Sequence, residues 1–174
     1  MEFLKKWLGG GQDPRGAVMP LYTSIVAEAR DPVWYARLGV PDTLDGRFDM
    51  IAALLSLALL RIEAAGDPGR DAGARLTELF IDDMDGQLRQ MGIGDVVVGK
   101  HIGKMMSAVG GRLAAYRETL EDEERLAEAL KRNLWRGEPG ADARPELAAA
   151  RLRALSDRMA TVDLATLLAQ GLPR

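Results

Sequence analysis

MIAALLSLALL, residues Met50 to Leu60, carries no charge and a single hydroxyl, and its reading decides the fold. Eleven residues are well short of the roughly 20 that span a bilayer. A run that is apolar on every face and too short for a membrane is expected of a helix surrounded by other helices. We therefore expect a central helix over about residues 47-65, closed by Gly66-Asp67-Pro68-Gly69.

The segments on either side repeat with a helical period, and no stretch alternates as a half-buried strand does. The fold expected is all-α, a single multi-helix domain around the central helix with a helical C-terminal extension. Upstream, Leu21 to Arg30 places Leu21 and Ile25 on one side, and Asp31-Pro32 fits the start of a short helix that carries Trp34 and Tyr35 and stops at Gly39. Downstream, Asp71 to Met91 is amphipathic, with Leu76, Leu79, Phe80, Met84, Leu88 and Met91 on one stripe. Gly92 suits a left-handed helix end, Ile93 is expected to fold back on the last turn, and Asp95 to cap the next helix. The acidic run from Glu118 to Glu128 followed by Lys131, Arg132 and Arg136 complements a helix dipole. By position, 1-16 is an N-terminal segment, 17-136 the helical domain, 137-144 a linker and 145-174 C-terminal helices that pack on the domain.

Composition narrows function. A chain of 174 residues with 47% hydrophobic and 28% charged residues has the material for one core. It has no Cys and one His, which removes thiol nucleophiles, disulfides, Cys-based zinc sites and His clusters. A net charge of -3 argues against a nucleic-acid partner, since a grip on phosphates needs concentrated Lys and Arg. The N-terminal MEFLKKWL is too interrupted for a secretory signal. It reads as an ordinary chain end or as a peripheral contact with an anionic membrane through Phe3, Lys5, Lys6 and Trp7.

Three further features carry alternatives. Asp82, Asp83 and Asp85 are the sharpest acidic cluster, and paired aspartates can hold Mg²⁺ for phosphate chemistry, although Asp83 points roughly 100° away from its neighbour on a helix. His101 reads as a surface histidine. Gly99, Gly103, Ser107 and Gly110 form a stripe of small residues that admits another helix, either from this chain's own core or from a partner.

LYTSIVAEARDPVWYARLGVPDTLDGRFDM (Leu21 to Met50), followed by LFIDDMDGQLRQMGIGDVVVGKHIGKMM (Leu79 to Met106), resembles the ubiquinol-cytochrome c chaperone family. GVPDTLDGRF (Gly39 to Phe48) and DMDGQLRQMGIGDVVVGK (Asp83 to Lys100) carry the resemblance, which extends over about residues 21-120 and leaves the C-terminal third similar only in helical character. It implies an all-helical, non-enzymatic assembly factor without a cofactor, which binds newly made cytochrome b or other bc1 assembly components. Carried onto this chain, the partner-binding positions are Arg47, Met84, Asp85, Leu88, Arg89, Met91, Asp95, Lys100, Lys104 and Met105. Gly103 departs from the family pattern, where a basic residue is expected, and thins the positive face of its helix. A bacterial-type member is expected, cytoplasmic or at the cytoplasmic face of the inner membrane. The methionines around the two signature helices suit either a variable apolar client or a core. The rival functions are a Mg-dependent phosphate enzyme built on the aspartates and a general helical protein-protein adaptor.

Overall fold

Thr43, in an extended conformation, starts the central helix by accepting the Gly46 N–H at 3.1 Å. In the computed structural model, which describes residues 14–174, that helix is Leu44–Glu63, and every residue from Asp49 to Leu59 is buried. The N-terminal positions Phe3, Lys5, Lys6 and Trp7 lie outside the described residues.

Seven α-helices and no strand occur among the described residues. After a 3-10 turn at Pro14–Ala17 come α1 (Met19–Ala29), a π-helical turn (Val33–Arg37), α2 (Leu44–Glu63) and α3 (Asp67–Gln90). They are followed by α4 (Asp95–Thr119), α5 (Glu123–Leu134), α6 (Pro145–Ala160) and α7 (Leu164–Gln170). The central α2 packs against α1, α3, α4, α5 and α6, as an apolar run on all faces requires. The all-α expectation holds, and α2 begins three residues earlier than expected because the Thr43 cap, not the first apolar residue, sets its start.

Polar side chains tie the layers together at specific points. Asp31 accepts the Val33 N–H at 2.9 Å and pairs with Arg151 of α6 at 2.6 Å, while Arg151 also reaches Glu28 and lies 4.7 Å from the centre of the buried Trp34 ring. Arg61 of α2 donates to the carbonyls of Met159 and Val162, which ties α2 to the C-terminal end of α6 and the residues just past it. The C-terminal tail is held on α1, where Ser24 Oγ accepts the Leu172 N–H at 2.8 Å.

The deepest tie is ionic. Arg112 of α4 donates to Asp49 of α2 at 2.5 Å and to the Asn133 carbonyl of α5 at 2.8 Å, and both charged side chains are buried. Arg136, just past α5, bonds the other Asp49 oxygen at 3.1 Å and Asp45 at 2.8 Å. It does so from a left-handed backbone, φ 55°, which costs a non-glycine residue about 1–2 kcal/mol. Burial pushes the Asp49 carboxyl above its ordinary range, and the Arg112 and Arg136 guanidiniums offset part of that rise.

Removing one partner of such a pair strands a buried charge. Arg112→Met is expected to cost about 3–5 kcal/mol in urea denaturation, with most of the loss recovered when Asp49→Leu is added. A single-variant loss below about 1 kcal/mol would mean that the pair is not what joins these helices.

Candidate functional site

Helix α3 ends at Met91 with Gly92 at φ 82°, and the two N–H groups that follow turn back on it. Gly92 N–H bonds the Arg89 carbonyl at 2.9 Å and Ile93 N–H bonds the Leu88 carbonyl at 3.1 Å, a Schellman ending. Both were expected from the sequence. The expected cap by Asp95 is not formed: Gly94 is the N-cap of α4 and no side chain caps it. Asp95 sits in the first turn instead, where its charge suits the helix dipole, and its carboxylate is taken by Arg89. Arg89 also holds Asp85 one turn back at 2.6 Å, so one guanidinium locks the end of α3 to the start of α4. Hydrogen bonds to Asp85 and then Asp95 raise the Arg89 pKa above its usual value.

Beside this hairpin a groove of about 750 Å³ opens between the end of α1, the start of α2 and the facing parts of α3 and α4. Its apolar lining includes Phe48 and Ile51 from α2, Met84 and Leu88 from α3, and Met105 from α4. Met91, 48% exposed, and Leu44, 58% exposed, leave apolar surface at its mouth. Phe48 packs against Phe80 with ring centres 6.2 Å apart, and the buried Arg112 lies 6.0 Å from the Phe48 ring centre, so the core ion pair supports the lining from below. Tyr35 adds a half-buried wall, its hydroxyl donating to the Ala29 carbonyl at 2.6 Å, and burial pushes its pKa up.

Cations also line the groove. Arg30, Arg47, Lys104 and Arg136 line the groove, as does His101, against the single carboxylate of Asp45. Arg47 pairs with Asp42 at 2.7 Å and Arg136 with Asp45 and Asp49. Arg30 and Lys104 make no ion pair among the described residues.

Six of the ten partner-binding positions expected from the resemblance therefore line one groove, namely Arg47, Met84, Leu88, Met91, Lys104 and Met105. Asp85, Arg89 and Asp95 form the hairpin lock outside it, and Lys100 is exposed on α4 away from its lining. Sequence reasoning missed Tyr35, Ile51, Arg136 and the groove position of His101. Phe48 stood in the quoted motif, but nothing in the sequence places Arg136, from beyond α5, beside Asp45.

The other candidates resolve differently. Asp82 pairs with Arg15, Asp83 accepts from the Tyr22 hydroxyl at 2.7 Å and from Gln87, and Asp85 belongs to Arg89. No group of three acidic or histidine side chains among the described residues is arranged to hold a metal ion. The small-residue stripe is not packed on the core: Gly99, Gly103, Ser107 and Gly110 are all exposed, and a Cβ added at any of the three glycines meets no neighbour.

The ubiquinol-cytochrome C chaperone pattern matches residues 36–173. The chain belongs to that family. The chaperone pattern thus reaches α6 and α7, so the C-terminal third is part of the family domain rather than similar only in helical character. The crystal structure of the Cbp3 homolog from Brucella abortus is similar to this chaperone at a TM-score of 0.81 and 28% identity, covering 99% of this chain and 97% of that one. No curated protein sequence matches the chain.

Glycines separate folding from surface in these helices. Gly103→Ala is expected to raise stability by up to about 1 kcal/mol, because nothing opposes a methyl group there. Gly92→Ala, in its left-handed conformation, is expected to lower it by about 1–2 kcal/mol, and paired thermal melts of the two variants would show opposite shifts.

Proposed function

We propose that this chaperone holds newly made cytochrome b, through reversible contact in the groove, until the protein joins the bc1 complex. Family membership makes it a bc1 assembly chaperone; the groove supplies the chemistry for a client. The observation that carries the proposal is that the two family motifs, distant in sequence, meet there: Phe48 and Arg47 come from the first, Met84, Leu88 and Met91 from the second.

The chemistry fits a hydrophobic client. Met84, Met91 and Met105 bring flexible, polarizable side chains that adapt to different apolar shapes. Leu88 and Phe48 give a firmer base. We assign no covalent step to the site, and its action is binding and release. A client destined for a membrane gives Phe3, Lys5, Lys6 and Trp7 a role as a peripheral contact at the cytoplasmic face of the inner membrane. No helix among the described residues is long and apolar enough to cross a membrane.

A photoreactive residue placed at Met91 or Lys104 in cells is expected to give cytochrome b adducts. The same probe at Leu147, exposed on α6, is expected to give none. Adducts with unrelated soluble proteins at both groove positions would instead support the adaptor function.

A further inference from the structure

We propose that the segment seated in the groove is an amphipathic helix whose apolar face is bordered by acidic residues. This rests on the chaperone function proposed above and adds the chemistry by which the client segment is chosen.

The charge distribution carries the argument. The chain as a whole is acidic, with a net charge of -3, yet the groove's mouth is lined by Arg30, Arg47, Lys104 and Arg136. Its one carboxylate, Asp45, is already engaged by Arg136 at 2.8 Å. Arg47 is engaged by Asp42, which leaves Arg30 and Lys104 exposed and unpaired among the described residues, in the same groove as the apolar lining. Apolar lining with unmatched cations at the edge is complementary to an apolar surface with anions at its edge.

The arrangement of those cations favours a helix over a lipid. Arg30 follows α1 and Lys104 belongs to α4, so the unmatched positive charge comes from separate elements that line the groove. An anionic lipid offers its charge at one end of its tail. An amphipathic helix offers carboxylates along both borders of an apolar stripe, with anchors at i, i+3 or i+4 and i+7 for the lining to receive. Edge charges of this kind act mainly on the rate of encounter and on the rejection of wrong partners, while the lining supplies the hold.

Two helical peptides with one shared apolar face, one bordered by Glu and one by Lys, test this by fluorescence anisotropy with the full chain. The Glu peptide is expected to bind about tenfold tighter, with the gap narrowing as salt rises. The double variant Arg30→Glu, Lys104→Glu is expected to lose or reverse that preference. Both side chains are exposed and unpaired, so the fold is expected to persist, and circular dichroism checks it. Equal affinity for the two peptides, or a preference the double variant leaves intact, would overturn the proposal. So would capture of phosphatidylglycerol vesicles that is lost in the double variant while the peptides bind alike, an outcome that assigns the cations to a lipid surface. Cytochrome b adducts without a peptide preference would remove this inference and leave the chaperone function standing. A peptide preference without those adducts would keep the groove's choice of an acidic-bordered helix and remove cytochrome b as the segment it holds.

Discussion

The buried pair of Asp49 and Arg112 is the constraint on which the rest of the structure depends. Two charges placed in the core must satisfy one another, and here they do so only when α2, α4 and α5 are brought to one point by Asp49, Arg112 and the Asn133 carbonyl. Apolar burial alone would tolerate sliding among helices as smooth as α2, whose Met50 to Leu59 run offers similar side chains in every direction. A fixed ion pair removes that freedom, because any shift in register would leave a charge without its partner. Arg136 extends the same network outward to Asp45 and so brings a cation from beyond α5 to the mouth of the groove. Core geometry and surface charge are thus joined through one carboxylate.

The two family motifs divide between folding and surface. In the first, Gly39 takes φ 70° and has no room for a Cβ, which would come within 2.3 Å of the Asp142 carbonyl oxygen, and its own carbonyl accepts the Trp135 indole N–H at 2.7 Å. Gly46 lies against the Pro41 carbonyl, where a Cβ would come within 1.9 Å, and Thr43 caps α2. Those residues set the corner; Arg47 and Phe48 then face the groove. In the second motif, Gly92 and Arg89 build the hairpin while Met84, Leu88 and Met91 face the groove. Each motif is therefore a local folding device with groove residues attached, which explains why one short stretch carries both kinds of position.

Much of the fold was legible because its determinants are local. An apolar run without charge and Gly92 followed by Ile93 each specify their structure within a turn or two. Asp95 misled because its partner, Arg89, is set by the hairpin's geometry rather than by the spacing that marks a cap. The groove was legible only in part. Met84, Leu88 and Met105 fall on stripes that any helix reading finds, but Asp85 and Arg89 carry the same sequence signals as binding residues and turn out to hold the hairpin together. Arg136 and His101 were out of reach, since their place depends on how distant helices pack. The acidic cluster at Asp82 to Asp85 looked like chemistry in the sequence and is partnered residue by residue in the structure.

A chaperone that works by binding must keep apolar surface open beside a core rigid enough not to collapse into it. The ion pair supplies the rigidity and the methionines the adaptable surface. The most direct test of that account is the amount of spectroscopically detected cytochrome b in membranes of a strain that lacks the native gene and expresses Met105→Arg. The groove variant, folded by circular dichroism, is predicted to leave cytochrome b as low as in the deletion strain. Cytochrome b restored to the wild-type amount by that variant would contradict the claim that the client is held in the groove.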